Sequence, residues 1–209
     1  MSEKSTNKYA IVDLEATSAS STACIIQVGI VIMQNGRVID EFASDVNPHQ
    51  KLDNHIVHLT GITDQQLSQA PDFSEIARTI FELIEDCIFV AHNVKFDANL
   101  LAEALFMEGF ELRTPRVDTV ELAQVFYPTL EQYNLSYLSR VLNLDLAQAH
   151  TAIEDARATG KLLLHLMDKI ASLPRQTIDM LLTFSDNLLF FHKRCCLGCK
   201  MHKGKKEWL

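Results

Sequence analysis

Asp13 and Glu15 stand two residues apart at the end of an apolar run near the N-terminus. Residues at that spacing in an extended strand share one face, so the two carboxylates point the same way while Val12 and Leu14 point to the other side. Two such neighbours repel, and a divalent cation that takes an oxygen from each removes the conflict. Taken alone, the pair also fits a solvated acidic strand end. Asp97 is a third carboxylate, closing His92-Asn93-Val94-Lys95-Phe96-Asp97 directly after a short apolar run. It falls in the first turn of a helix, where the dipole favours an anion, and capping alone would account for it there. His150 and Asp155 open a late helical stretch. A step of five residues on a helix turns through about 500°, which leaves the two about 140° apart. His150 therefore belongs in the preceding loop, with Asp155 pointing into the same cleft. The plainer reading of His150 is a surface imidazole beside a helix start.

The elements that must carry these residues are legible in outline. Residues 9–14, 23–33 and 37–43 read as strands, and Asn35-Gly36 is a strong hairpin signal, so the first three form an antiparallel meander. Asn47-Pro48 opens a loop. Phe73, Ile76, Ala77, Ile80, Phe81 and Ile84 recur at helical spacing over residues 73–85. A buried strand at 87–91 follows, then a helix over 97–108 stopped by Gly109, and a further strand ending at 116–118. Residues 119–126, 135–142 and 151–171 read as helices, and Pro174 separates the last of these from a final helix near 175–191. Strands in a meander, then strands alternating with helices, imply an α/β fold with a mixed sheet. Ligands of such sheets favour the carboxyl ends of the parallel strands.

Composition sets outer bounds. The 209 residues suffice for one domain with a large core and no metal or disulfide staples. Apolar content of 47% and charged content of 22% are those of an ordinary soluble domain, and 7 Gly and 5 Pro exclude collagenous or low-complexity chains. No apolar run approaches the ~20 residues that span a bilayer, and the polar N-terminus lacks an apolar signal region, so no membrane role and a cytoplasmic address are expected. Five cysteines, an odd number, argue against a disulfide framework, and Cys24 and Cys87 sit in apolar surroundings as small core residues.

The ordered set of Asp-x-Glu ending a first strand, His-Asn-x-x-Phe-Asp after a later strand and His-x-x-x-x-Asp opening a late helix resembles the DnaQ-like, or DEDDh, 3′–5′ exonucleases of the ribonuclease H-like superfamily. Leu59-Thr60-Gly61-Ile62-Thr63 is similar to that family's segment beside the terminal nucleotide. The likeness spans about residues 8–170. Within the family, residues 9–191 are most similar to the exonuclease region at the N-terminus of DinG-type helicase proteins of low-GC Gram-positive bacteria, including Asp118-Thr119-Val120-Glu121-Leu122 and the helix after Leu173-Pro174. Nothing resembles a Walker A loop, so no helicase activity is expected. The sequence leaves open a stand-alone protein or part of a longer one. One departure stands out: Thr17-Ser18 replaces the family's frequent Thr-Gly, which touches the loop over the 3′ end and removes no ligand.

The resemblance implies a ribonuclease H-like mixed sheet and two divalent ions, Mg²⁺ or Mn²⁺, since every ligand is a hard oxygen. Asp13 would bridge both ions, Glu15 and Asp155 would bind directly, and Asp97 partly through water. His150 would be the general base, with an ordinary pKa near 6.5 suited to that role. Ala16, Thr17 and the backbone around them would meet the terminal sugar, with Ile62, Phe96 and His150 near the last nucleotide; Ile62 and Phe96 read equally as core residues. The implied reaction removes nucleoside 5′-monophosphates from the 3′ end of single-stranded DNA, with RNA as the other candidate. Two further readings are a proofreading or repair module that works docked to a polymerase or helicase, and a non-catalytic nucleic-acid-binding protein. Four clustered carboxylates argue against the last.

The expected organisation is an exonuclease domain over 1–173, a C-terminal helix over 174–192 and a basic tail over 193–209. The tail carries a net charge of +5, which leaves −13 for the rest of a chain whose formal total is −8. So acidic a body repels a polyanion unless cations intervene. Cys195, Cys196, Cys199 and His202 offer four soft ligands within eight residues, cramped for tetrahedral Zn²⁺, and a disordered basic tail is the favoured reading.

Overall fold

The computed structural model of the chain describes residues 7–18, 20, 22–144 and 151–184. His150 and the segment from 193 to 209, with its tail cysteines and His202, lie outside the described residues. Three strands, β1 (Lys8–Ala16), β2 (Ile25–Gln34) and β3 (Arg37–Asp45), form the expected antiparallel meander. Asn35 and Gly36 both take positive φ, 54° and 73°, as the two-residue turn demands. Parallel strands β4 (Ile88–Ala91) and β5 (Arg116–Asp118) then extend the sheet beyond β1, giving the order β3-β2-β1-β4-β5.

The period-two alternation of β1 divides two apolar layers. Ala10, Val12 and Leu14, with Val28, Ile30 and Ile32 of β2, pack against α3 (Phe73–Ile84) and α4 (Val94–Met107). Ile11, Val31, Met33 and Val90 face the other way and are covered by α7 (Ala152–Ala171). Farther along that second face run Asp13 and Glu15 of β1, opposite Gly29 and Gln27 of β2. The residues that continue an apolar stripe are thus replaced by acids where the stripe reaches the end of the sheet. Outside α7, α5 (Thr119–Phe126) and α6 (Leu135–Val141) contribute Ala123 and Leu138 to a third cluster with Leu162 and Leu166.

Differences from the sequence reading are local. The stretch opened by Asn47-Pro48 contains α1 (Asn54–Thr60) and α2 (Asp64–Leu67). Helix α1 buries no residue completely, so it carries no periodic apolar signal. The helix expected from residue 97 begins at Val94, because Asn93 enters it with φ of 78° and its first N–H groups find an acceptor on β5. The last described helix, α8 (Arg175–Phe184), follows Pro174 as expected; residues 185–191 of its expected span lie outside the described residues. Among the described residues, no helix is long and apolar enough to cross a membrane.

Candidate active site

The carboxyl end of β1 is shaped by a register irregularity. Glu15 pairs with Gln27 but the next residue, Ala16, pairs with Ile25, so an extra residue in β2 bends the ladder there. Thr17 closes the loop that follows. Its N–H donates to the Cys24 carbonyl at 2.9 Å, and its hydroxyl accepts from the Cys24 N–H at 3.0 Å and from Gln50 Nε2 at 3.3 Å.

Asp155 reaches the same place from the opposite direction. Helix α7 begins against β2 because Gly29 offers no side chain: a Cβ there would lie 2.2 Å from the Ala152 carbonyl carbon and 2.3 Å from the Ile153 nitrogen. The Ala152 N–H, free of any partner within its own helix by position, donates to Gln27 Oε1 at 2.8 Å. Arg157 ties the same turn to β3 through Glu41 and also pairs with Glu154. As a result, ligand oxygens of Asp13, Glu15 and Asp155 lie within 4.8 Å of one another.

Asp97 enters from α4. Its Oδ1 accepts the Leu14 N–H at 3.0 Å, between the two β1 acids. Asp118 fixes the start of that helix: its carboxylate accepts from Asn93 N at 3.1 Å, Val94 N at 3.0 Å and Val120 N at 2.8 Å, so one side chain holds the beginnings of α4 and α5. His92 seals the back of this corner, bridging Thr119 Oγ1 and the Tyr133 carbonyl, and burial lowers its pKa.

The electrostatics follow from crowding acids in a desolvated corner. Burial, then the charges of Asp97, Asp155 and Glu15, raise the Asp13 pKa well above the ordinary carboxylate value. Asp97 is pushed to about 7, burial outweighing the hydrogen bonds from its own backbone and Leu14 N–H groups. Such a group needs either protons or cations, and hard oxygen donors of this kind suit Mg²⁺ or Mn²⁺. Asp13, Glu15 and Asp155 would hold the cation, with Asp97 alongside.

Three of the five expected catalytic residues are therefore gathered in one cluster, a fourth adjoins it, and His150 lies outside the described residues, one position before Thr151 at the N-cap of α7. The expected substrate contacts divide. Phe96 is half-buried on the first turn of α4 beside Asp97. Ala16 is buried, and the Thr17 N–H is committed within its own loop. Ile62 is only 4% exposed and packs with Ile26, Leu52 and Leu67, so the core half of its two readings describes its position. Leu59, in the same segment, is 63% exposed. Sequence reasoning missed Gln27, Gly29 and Asp118. A Gly and a Gln breaking the apolar run of β2 opposite two acids were the available signal.

Comparison with known proteins agrees with this geometry. The family described as Exonuclease matches residues 10–163. The chain is 38% identical over 184 residues to the 3′-5′ exonuclease DinG of Staphylococcus aureus, in strains USA300 and NCTC 8325 alike. That alignment takes in 87% of this chain and 20% of the relative, so the chain spans about a fifth of the length of the curated relatives it matches. Among solved structures, the nuclease domain of 3′hExo, a DEDDh family member bound to rAMP, superposes with a TM-score of 0.67 at 16% identity, covering 79% of this chain and 94% of that one. Escherichia coli exonuclease I in complex with a dA16 oligonucleotide gives 0.66 at 18%, covering 78% and 42%. The chain belongs to the exonuclease family. Its mixed sheet is the ribonuclease H-like one expected, and its class is that of a hydrolase acting on nucleic acid.

Proposed function

We propose that this chain is a metal-dependent 3′–5′ exonuclease that removes nucleoside 5′-monophosphates from the 3′ end of single-stranded DNA, with RNA as the alternative polymer. The observation that carries this is the convergence of Asp13, Glu15 and Asp155 within 4.8 Å, with Asp97 hydrogen-bonded to the strand between them. Two Mg²⁺ or Mn²⁺ ions, when bound, supply Lewis-acid activation of a water and neutralise charge at the leaving oxygen. The chain's own part is to hold four carboxylates so close that their mutual repulsion must be relieved by protons or by cations. Asp13, Glu15 and Asp155 would hold the ions, with Asp97 alongside them. His150 would take the proton from the attacking water. Phe96 and the exposed Leu59 offer apolar surface to the last base, and the backbone of Ala16 and Thr17 lies on the sugar side.

The relatives support the direction of attack through their name and the nucleic-acid complexes through their shared fold. The fivefold greater length of the curated relatives favours a second role, in which the domain works beside a helicase or polymerase in proofreading or repair, in the cytoplasm.

The test uses oligonucleotides labelled at the 5′ end. With Mg²⁺ or Mn²⁺ the label should move through a ladder of shortening products, and EDTA, Asp13→Ala or His150→Ala should stop it. Full activity in EDTA or in Asp13→Ala would refute the mechanism. If the docked role dominates, the isolated chain should be slow until a helicase or polymerase is added.

A further inference from the structure

Glu15, Gln27 and Asp45 stand side by side across β1, β2 and β3, paired in register. In this row Gln27 is the only member that both donates and accepts. Its Oε1 accepts the Ala152 N–H at 2.8 Å, and its Nε2 donates to Asp45 Oδ1 at 2.7 Å. The other oxygen of Asp45 accepts from Gln66 Nε2 at 2.7 Å, and the Gln66 N–H donates to the Thr63 hydroxyl at 3.2 Å.

The orientation of the Gln27 amide is dictated by these partners. An ionised carboxylate only accepts and a backbone N–H only donates, so a flipped amide would set two donors against each other at Ala152 and two acceptors against each other at Asp45. Ala152 is the first residue of α7, and Asp155 follows one turn later with its own N–H on the Thr151 carbonyl. Wherever Gln27 places Ala152, Asp155 is carried with it. The far end of the chain of bonds is α2 and its N-cap Thr63, the last residue of the segment 59–63.

We propose that Gln27, its amide oriented by Asp45 and Gln66, is a positioning residue that sets Asp155 against Asp13 and Glu15. The proposal rests on the metal-site reading above. It gives the chain a continuous polar link between the carboxylate cluster and the segment assigned to the terminal nucleotide. Outer-shell partners of this kind typically govern metal affinity by about 10–100-fold.

The test is Mn²⁺ binding to the full chain, followed by calorimetry or electron paramagnetic resonance, in a two-site cycle. Gln27→Glu leaves an acceptor for Ala152 but sets an acid against Asp45. Asp45→Asn removes the carboxylate that orients the amide. Each should weaken Mn²⁺ binding by about tenfold or more. Together, Gln27→Glu/Asp45→Asn exchange the two functional groups and restore all three hydrogen bonds at unchanged total charge, so the pair should recover to within about threefold of the parent. Single variants that bind as the parent does, or a pair no better than the worse single, would overturn the proposal. Amide exchange in the unsubstituted chain decides the matter if a variant does not fold: the Ala152 N–H should be protected, and free exchange there would overturn the proposal equally. Asp13→Ala separates the two ideas, since unaltered Mn²⁺ binding in that variant would remove the metal site itself.

Discussion

Gly29 lies so close beneath Ala152 that any side chain carbon on it would stand 2.2 Å from the Ala152 carbonyl carbon. Gly29 is also the cross-strand partner of Asp13, so this close backbone contact of α7 sits directly beside one acid of the cluster. The missing side chain is what lets the helix start low enough for Asp155 to reach β1. Gly29→Ala should therefore lift the first turn of α7. Overpacking of this type costs about 1–3 kcal/mol, visible as a fall of several degrees in Tm. A displacement of about 1 Å at a catalytic group is worth about 100-fold in rate, so kcat should fall by that order even at temperatures where the variant is folded. Calorimetry and single-turnover assays on one preparation would check both.

Asp118 is one carboxylate serving two helix starts. Asp118→Ala leaves the N–H groups of Asn93, Val94 and Val120 without their acceptor, at about 1 kcal/mol for each cap lost. Because α4 also carries Asp97 to the Leu14 N–H, metal affinity should drop along with Tm. Asp118→Asn keeps one accepting oxygen and should fall between the two. Thermal melts with and without Mn²⁺ measure this.

The hairpin at Asn35-Gly36, the periodic helix over 73–85 and the ordered acids were readable in the sequence because each depends on local spacing. What escaped it depends on packing across distance. Whether Ile62 or Leu59 faces solvent is decided by Ile26, Leu52 and Leu67, which close over Ile62. The early start of α4 is decided by Asp118, more than twenty residues away in the chain. A glycine breaking the β2 run was visible in the sequence, but what it makes room for appears only once α7 lies upon it.

The raised pKa values of Asp13 and Asp97 give a pH dependence with a definite sign. Both groups hold protons in the folded metal-free chain at pH values where the unfolded chain has released them. Their contribution to stability is complete below about pH 4 and is lost as pH rises toward and through about 7, the Asp97 value. In EDTA these two sites should therefore lower Tm across that window. Metal reverses the trend: Mg²⁺ or Mn²⁺ must displace the protons, so its affinity should climb over the same range and its stabilisation grow with pH. Melts at pH 5, 6, 7 and 8 with EDTA or Mn²⁺ should diverge, and parallel curves would count against the assignment.

The charge imbalance bears on substrate capture. With −13 on residues 1–192 and +5 beyond them, removal of residues 193–209 should raise the KM for single-stranded DNA, most at low salt, while leaving kcat unchanged. Steady-state kinetics at two ionic strengths measure this, and an unchanged KM at low salt would remove the role given to the tail.

A crystal soaked in Mn²⁺ and measured for anomalous scattering bears most directly on the cage of carboxylates. Two peaks about 3.5–4 Å apart, touching Asp13, Glu15 and Asp155, are the predicted result. Saturating Mn²⁺ that leaves this corner without a peak, or that settles on other acids of the surface, would contradict it.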